Sequence, residues 1–298
     1  MEKNIEETSE VLDEIPLEEE EIKLKNKPFL KWAGGKYKIF STLNKYFPEN
    51  GKKFFEPFVG AGSVALNVHY KECVINDVNH DLILTWKYLK KNKEDFVQSC
   101  KKLFDHPDAN TREFFDSRKK ELNSTDNKER KAHLFVYLNR HCFNGLCRYN
   151  GSNEFNVPFG KYDKPYFPEK ELLSVVPIIE NWTILRKDFR EIFTMMEAGD
   201  VAYCDPPYVP VSESANFGSY SAGGFGLKDQ FDLAENAQKA SEKGVTVIIS
   251  NHYNWYTKEL YTKMFNGKIH KIQVSRTISS KVEKRESVGE IIAVFNGK

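Results

Sequence analysis

The 298-residue sequence predicts an α/β fold in which helices cover both faces of a mainly parallel sheet. Short apolar runs such as "KKFFEPFVG", "ECVINDV" and "VTVIIS" have the length of buried strands, and stretches with helical spacing separate them. Strands that alternate with helices favour a parallel sheet. A helix-rich block from about residue 80 to 168 interrupts the alternation, and we predict that it is an insertion into the sheet domain.

The chain opens with an acidic segment, which we predict to be a disordered leader at residues 1–26. Residues 1–22 contain ten acidic side chains and Lys3, a net charge of −9. The remaining 276 residues carry 43 basic and 33 acidic side chains, and 43 minus 33 gives a net charge of +10. A basic body favours a polyanionic partner, and acidic leaders are usually disordered. An ordinary solvated surface would explain the charge equally well.

The elements follow in order along the chain. A strand in "KKFFEPFVG" enters a glycine turn, "SVALNVHY" has the pattern of a helix, and the strand "ECVINDV" ends at Asn76 and Asp77. Helical spacing recurs in "HDLILTWKYLKK", Lys93 to Phe104 and "ERKAHLFVYLNRHCF", whereas Asn144 to Pro168 has the composition of a functional loop. Strands resume at "NWTILRKD", "VAYCD" and "VTVIIS", and "KIHKIQVSRTI" and "GEIIAVF" are predicted to pair as a hairpin.

Composition excludes several classes of protein. The longest apolar runs are too short to span a bilayer, and no secretion signal is apparent, so we expect a cytoplasmic protein. The five cysteines are odd in number and form no CxxC pair, which favours reduced structural thiols. Cys204 beside an acidic corner could be a nucleophile, but a small apolar residue that ends a strand is the favoured interpretation. We expect no bound metal.

A glycine turn and a later acid form the first candidate binding site. In "FFEPFVGAGSVALN" a strand, a turn with Gly60 and Gly62, and a predicted helix follow one another, which places backbone N–H groups at a helix N-terminus. Asp77 follows Gly62 by 15 residues, near the offset of about 20 at which an acid binds ribose hydroxyls. The motif is G-x-G without a third glycine. Two interpretations of the motif stay open: a binding turn for a nucleoside cofactor such as S-adenosylmethionine, or a simple tight turn.

The segment "KPFLKWAGGKYKI" is the second candidate. It does not match a phosphate-binding loop, because Leu30 and Tyr37 stand where that motif needs glycine and Ser or Thr. A Gly-Gly pair between Trp32 and Lys36 could instead hold a cofactor, with the indole against its apolar arm and the ammonium near a carboxylate. A core tryptophan beside a surface lysine is the alternative.

The third candidate is the corner "YCDPPY". Two prolines end the strand and leave one carboxylate, two carbonyls and an aromatic ring. If an adenine lay with its edge at Asp205 and its face on Tyr208, the carboxylate and the Pro206 carbonyl would accept the N6 hydrogens and stabilise positive charge on that nitrogen. Such a base is unreachable inside a duplex and must be flipped out. A plain turn at the end of a strand would tolerate the same tetrapeptide.

Taken in order, these segments resemble the Dam-type DNA adenine-N6 methyltransferases of the alpha class. The resemblance spans about residues 27–295 and includes "FLKWAGGKY", "EPFVGAGSVALN", "NDVNHDLI", "YLNRHCFNGLCRYN", "EFNVPFGKY" and "YCDPPY". It implies a Rossmann-like S-adenosylmethionine-dependent methyltransferase sheet with an inserted, mainly helical target-recognition domain. The implied catalytic domain comprises residues 27–79 and 169–298, and the implied recognition insertion comprises residues 80–168.

The resemblance also implies functional residues and a target, adenine in GATC, with each strand methylated separately. Because a monomer can serve a site that is modified one strand at a time, we expect a monomer without an obligate protein partner. Catalysis would rest on Asp205, Pro206, Pro207 and Tyr208. Cofactor contacts would fall on Trp32, Lys36, Gly60, Gly62, Asp77 and Asp205. Double-stranded DNA would be contacted by Lys31, Phe143, Asn144, Leu146, Arg148, Asn150, Lys161 and Tyr162.

The predicted DNA contacts have a physical basis and two departures from the family pattern. Within "FNGLCRYN" a ring can fill the gap left by a flipped base, a leucine can meet a thymine methyl, and Arg148 can bind a guanine edge, a contact that contributes about 1–3 kcal/mol of discrimination. Phe143 lacks the hydroxyl of the usual tyrosine. Lys161 replaces an arginine and suits a point contact to phosphate rather than a bidentate one.

Three rival functions stay open at this stage. Methylation of cytosine N4 uses a similar corner that usually begins with Ser, and Asp205 favours adenine instead. Enzymes that methylate protein glutamine or RNA typically begin the corner with Asn. A DNA-binding protein without catalysis is disfavoured by the intact glycine turn, Asp77 and the D-P-P-Y corner.

Overall fold

A computed structural model describes residues 26–208, 224–274 and 288–296, and these ranges form the α/β architecture that the sequence predicts. Residues 1–25 of the predicted leader lie outside the described residues. So do the segment after the D-P-P-Y corner, residues 209–223, and the segment between the last two strands, residues 275–287. Among the described helices, none is long and apolar enough to cross a membrane.

Seven strands form one sheet in the order β3-β2-β1-β4-β5-β7-β6. The first five strands pair in parallel, while β7 is antiparallel to both β5 and β6, which confirms the predicted hairpin. The sheet is thus the Rossmann-like methyltransferase sheet that we expected. The strands are β1 (Lys53–Glu56), β2 (Glu72–Asn76), β3 (Thr183–Leu185), β4 (Val201–Cys204), β5 (Thr246–His252), β6 (Lys268–Val274) and β7 (Val288–Phe295).

Helices connect these strands and include those of the predicted insertion, which lie between β2 and β3. Their bounds are α1 (Phe40–Asn44), α2 (His80–Phe104), α3 (Arg112–Ser124), α4 (Lys128–His141), α5 (Glu169–Val175), α6 (Phe189–Phe193), α7 (Leu227–Glu242) and α8 (Trp255–Glu259). Single-turn 3₁₀ segments occur at Lys36–Ile39, Phe143–Gly145 and Ile179–Asn181, and one π turn covers Leu260–Met264.

Both faces of the sheet are buried, each in its own hydrophobic core. Along β4, Val201 and Tyr203 contribute to one core, while Ala202 and Cys204 contribute to the other. This alternation follows from the period of two in a strand. The core on the first side continues into the helices α2 and α4, so the inserted block and the sheet share one apolar interior.

The prediction of a helix in "SVALNVHY" is wrong, because residues 63–68 form successive turns instead. Two N–H groups, of Leu66 and Val68, reach carbonyls four residues back, but the Ala65 N–H donates to the buried Glu56 carboxylate at 2.9 Å. That N–H lies in the first turn, where a regular helix offers it no backbone acceptor either, so the carboxylate caps the turn. Successive turns rather than a regular helix therefore follow the binding turn.

Two other differences concern the inserted block. The two helices predicted on either side of Asn92 are joined as α2, with a sharp break at Lys93, whose φ is +48°. Helix α3 was not predicted. Its sequence "REFFDSRKKELNS" buries only Phe115 and Leu122, so its apolar pattern is weak.

Candidate active site

Three acidic residues lie at the carboxyl edge of the parallel strands. Glu56 is the last residue of β1, Asp77 follows β2 directly, and Asp205 follows β4 directly. Because β2, β1 and β4 are neighbours in the sheet, these side chains share one edge. Ligands of open α/β sheets bind outside the carboxyl ends of the strands, so this edge is the candidate site.

Asp77 is held by backbone donors from both sides. Its Oδ2 accepts a hydrogen bond from the Gly60 N–H at 3.2 Å, and its Oδ1 accepts one from the Asn79 N–H at 2.9 Å. Burial raises the pKa of Asp77, while these backbone hydrogen bonds lower it. Each carboxylate oxygen keeps further acceptor capacity, which suits the hydroxyl pair of a ribose.

Close packing explains why the turn needs glycines. Gly60 has a φ of +49°, and a Cβ added there would lie 2.6 Å from the Trp32 indole nitrogen. Gly62 has a φ of +73°, and a Cβ there would lie 2.9 Å from Cζ2 of Trp86. Any other residue would be strained and would displace an indole. The turn thus brings Trp32 against the strand ends near Asp77.

The turn before Lys36 faces open space. A Cβ added at Gly34, whose φ is +79°, would meet no atom within 4 Å. Lys36 itself is buried, and its Nζ donates to the Gly34 carbonyl at 2.8 Å. The predicted cofactor residues Trp32 and Lys36 therefore flank a turn that leaves space for a ligand, and a nucleoside with a charged amino-acid arm would suit these side chains.

An ion pair joins the glycine-rich segment to the D-P-P-Y corner. Lys36 Nζ lies 2.8 Å from Asp205 Oδ2, and the side chain of Lys36 is only 5% exposed. Burial raises the pKa of Asp205, whereas the charge and the hydrogen bond of Lys36 lower it. The pair couples the charge state of the corner to a residue of the cofactor segment.

The rest of the corner is fixed around Asp205. Pro206 is buried and Pro207 is exposed. The Tyr208 hydroxyl donates to Glu290 Oε2 at 3.2 Å, and its ring meets that of His252 edge-on at a centroid distance of 4.7 Å. Lys36 Nζ lies 4.8 Å from the centroid of the Tyr208 ring.

The buried acid Glu56 was not predicted as a site residue. Burial raises its pKa well above the usual range, and the nearby Asp205 and Asp77 raise it further. Burial and those two carboxylates thus both disfavour the ionised form of Glu56. The available signal was its position, since an acid ends β1 in the sequence just as acids follow β2 and β4.

On the predicted DNA side, apolar rings and aliphatic groups are exposed. Phe143 is 47% exposed and Leu146 is 37% exposed, both in the turn that follows α4. The Asn144 N–H donates to the Tyr162 hydroxyl at 2.8 Å. Lys31 Nζ lies 4.2 Å from the Tyr162 ring centroid, and burial lowers the pKa of Lys31. Lys31, Asn144 and Tyr162 thus form one contiguous surface.

Arg148, Asn150 and Lys161 extend that surface. Arg148 Nε donates to Asn156 Oδ1 at 2.8 Å, and its Nη2 donates to the Asn156 carbonyl at 3.2 Å. These bonds use two of five guanidinium donors, so an edge suited to guanine stays available. The Asn150 side chain closes its own turn by accepting from Ser152 and Glu154. Lys161 is exposed, with a φ of +52°.

A set of contacts that sequence reasoning missed connects the two halves of the site. Tyr149 donates its hydroxyl to Asp81 Oδ2 at 2.8 Å, and Asn79 Nδ2 donates to Cys147 Sγ at 3.4 Å. Asn79 and Asp81 lie two and four residues after Asp77, whereas Cys147 and Tyr149 flank Arg148. We call these four side chains the clasp. No local pattern reveals it, because the pairs are 68 residues apart.

The cysteines behave as structural residues. In the described ranges they are free, and burial raises the pKa of Cys204 well above its usual range, so its thiol is inert as a nucleophile. No cluster of three metal-ligating side chains is found among the residues that the structure describes.

The site can be compared with known proteins. A family model described as D12 class N6 adenine-specific DNA methyltransferase matches residues 32–278. The chain is 41% identical over 279 residues to the DNA adenine methylase of Haemophilus influenzae, which covers 93% of this chain and 96% of that protein. It is 43% identical over 272 residues to that of Serratia marcescens, with 91% and 99% covered. For Escherichia coli K12 the identity is 41% over 271 residues, with 91% and 96% covered.

These matches extend over both the sheet and the inserted helices. They favour adenine over cytosine and DNA over RNA or protein, which decides among the rival functions left open by the residues. The chain therefore belongs to the D12 class of N6 adenine-specific DNA methyltransferases and is an adenine DNA methyltransferase.

Proposed function

We propose that the protein transfers the methyl group of S-adenosylmethionine to N6 of a flipped-out adenine, in GATC sites of duplex DNA. The observation that carries this proposal is the corner at the carboxyl edge of β4. There, Asp205 lies 2.8 Å from the buried Lys36 and one residue before the Pro206 carbonyl. An acceptor pair of this kind suits an exocyclic amine.

The cofactor would be held by the residues around the glycine turns and Asp77. Asp77 would accept the ribose hydroxyls, and Trp32 would pack on the apolar arm beside the turn of Gly60 and Gly62. Lys36 gives one N–H to Asp205 and one to Gly34, which leaves its third for the cofactor carboxylate. When bound, S-adenosylmethionine supplies an electrophilic methyl group on a sulfonium.

Asp205 and Pro206 would act on the target amine. The N6 lone pair of adenine is delocalised into the ring, which makes the nitrogen a poor nucleophile. Hydrogen bonds from N6 to the Asp205 carboxylate and the Pro206 carbonyl would favour a tetrahedral nitrogen and stabilise its positive charge. Tyr208 would receive the face of the base, with its hydroxyl fixed by Glu290.

The contiguous surface around Phe143 would bind the duplex. The exposed Phe143 ring would fill the gap left by the flipped base, Leu146 would meet a thymine methyl, and Arg148 would bind guanine. Asn144, Asn150, Tyr162, Lys31 and Lys161 would contribute the remaining contacts. A monomer suffices for a site whose strands are methylated one at a time, so we propose a cytoplasmic monomer that needs no protein partner.

A labelled-transfer assay tests the proposal. The protein is incubated with S-adenosylmethionine carrying a labelled methyl group and with duplexes that contain GATC or a scrambled site, and the modified base is then identified. We expect label on N6 of adenine in the GATC duplex. Label on cytosine, or equal label on both duplexes, would contradict the proposal.

A further inference from the structure

The two prolines of the D-P-P-Y corner contribute no backbone donors. Pro206 and Pro207 have no N–H, so neither can anchor its peptide as a hydrogen-bond donor. Hydrogen bonds that restrain these two residues must therefore be made to their carbonyls. In the structure, the Pro207 carbonyl accepts a hydrogen bond from Gln230 Nε2 at 2.8 Å.

Gln230 is a buried amide on α7, and its own orientation is fixed. It is 2% exposed, and its Oε1 accepts from Asn251 Nδ2 at 3.0 Å. Asn251, on β5 and 0% exposed, also donates from Nδ2 to the Tyr261 hydroxyl at 3.0 Å. Its Oδ1 accepts from the His252 N–H at 2.9 Å, which determines which end of the amide is oxygen.

The orientation of the whole chain of amides follows from these bonds. If Gln230 were flipped, its oxygen would face the Pro207 carbonyl oxygen and its nitrogen would face the Asn251 amide donor. Both contacts would then be repulsive. The network therefore allows one arrangement, in which Gln230 presents a donor to the corner.

We propose that Gln230 is a positioning residue for methyl transfer. It fixes the peptide between Pro207 and Tyr208 and thereby the direction of the Pro206 carbonyl and the place of the Tyr208 ring. The inference rests on the proposed function, because it assigns Gln230 a role through the residues that would hold the adenine. It adds a residue of α7, 23 positions beyond Pro207, to the machinery of that site.

Core packing alone does not explain a glutamine here. The neighbours Leu233 and Ala234 on the same helix belong to the hydrophobic core, and a buried amide costs free energy unless it is fully paired. An apolar side chain of similar volume would fill the same space. The amide instead donates to the Pro207 carbonyl of the corner and accepts from Asn251 of β5.

Two substitutions test the role, measured as single-turnover methylation of a GATC duplex at saturating DNA and cofactor. Gln230→Leu keeps the volume and removes the donor, and we expect the transfer rate to fall by about ten- to a hundredfold while duplex affinity changes little. Gln230→Glu can donate to the Pro207 carbonyl only when its carboxyl is protonated. Its rate, relative to that of the parent, should therefore rise as the pH falls.

The sign of that pH effect separates positioning from simple charge repulsion. The titratable and charged groups around this network and the corner are Lys36, Asp205, Tyr208, His252, Tyr261 and Glu290. Burial raises the pKa of Asp205, Tyr208 and Tyr261, so the tyrosines stay protonated. An ionised Glu at position 230 would favour protonation of Asp205, which would lower the relative rate at low pH. A positioning role instead predicts that the relative rate of Gln230→Glu rises as the pH falls.

Gln238→Glu is the matched control, since Gln238 lies on the same helix and bonds to Glu242 at 2.9 Å rather than to the corner. It should follow the parental pH profile. If the Leu variant does not fold, the Glu variant decides alone. A Glu variant whose rate parallels the parent at every pH would overturn the inference, and so would a folded Leu variant with the parental rate. Failure of the parent to methylate adenine would instead refute the proposed function.

Discussion

At the scale of the residue, the proposed chemistry of the corner depends on the charge of Asp205. In the proposed reaction its carboxylate must be ionised to accept hydrogens from N6, yet burial raises its pKa. Lys36, 2.8 Å away, opposes that rise. Pairing with Lys36 thus favours the ionised form of the half-buried Asp205 carboxylate. When the pH falls, the carboxylate is protonated and no longer accepts.

Replacing Lys36 by Met tests this balance. The raised pKa of Asp205 means that activity is present above that pKa and is lost as the pH falls through it. Without the ammonium the pKa of Asp205 rises further, so the acid limb of the single-turnover rate should move to higher pH, measured at saturating cofactor.

Lys53→Met is the control for that shift, because Lys53 lies at the opposite end of β1 and pairs with Glu72 at 3.7 Å. It should leave the acid limb in place. An unchanged limb in Lys36→Met would show that the ion pair does not set the charge of Asp205.

At the scale of the element, the clasp joins the loop that bears Arg148 to the start of α2. The Tyr149 hydroxyl anchors this loop to Asp81, four residues after Asp77, and the Tyr149 ring packs edge-on against Phe155 at 5.9 Å. Because the residues on both sides of Arg148 are hydrogen-bonded to the start of α2, the backbone position of Arg148 is fixed. Direct readout of a base edge needs such a fixed donor.

Tyr149→Phe should therefore reduce sequence discrimination. The ring stays, the anchoring bond to Asp81 is lost, and the ratio of rates on GATC and on sites with one altered base should fall by up to about tenfold. The rate on GATC itself should change less. Both rates are measured in competition between duplexes.

Tyr166→Phe makes the same chemical change at an exposed position, where the hydroxyl donates to Glu171 at 2.9 Å. It should leave discrimination at the parental level. Equal ratios in Tyr149→Phe and Tyr166→Phe would rule out a role for the clasp in specificity.

The same elements show what a sequence can and cannot predict. Asp77 and Asp205 were predicted at strand ends because an apolar run that stops at an acid marks the carboxyl edge of a buried strand. The turns at residues 63–68 were predicted as a helix because their apolar spacing is helical, and that spacing does not show that the chain forms only successive turns there. Contacts such as Gln230 with Pro207 depend on how α7 packs on the sheet and have no local signal.

At the scale of the whole molecule, charge is segregated along the chain. Residues 1–22 carry −9 and the other 276 residues carry +10, although the total is only +1. DNA binding by a basic body depends on the release of counterions, and a tethered polyanion competes with the phosphates. The leader should therefore weaken the affinity of the enzyme for DNA.

Deletion of residues 1–22 should tighten binding to a short duplex at about 50 mM salt, and the gain should shrink at about 200 mM. Fluorescence anisotropy measures both affinities. A full-length chain with the leader residues in scrambled order keeps the charge and should bind like the parent. A gain that does not depend on salt would contradict an electrostatic role of the leader.

Asp205→Ala tests the central claim most directly, with methyl transfer to a GATC duplex and binding of that duplex measured on the same preparation. We expect transfer to be abolished while the duplex is still bound, because the N6 amine loses its charged acceptor. A variant that methylates adenine within about tenfold of the parental rate would contradict the role given to this carboxylate.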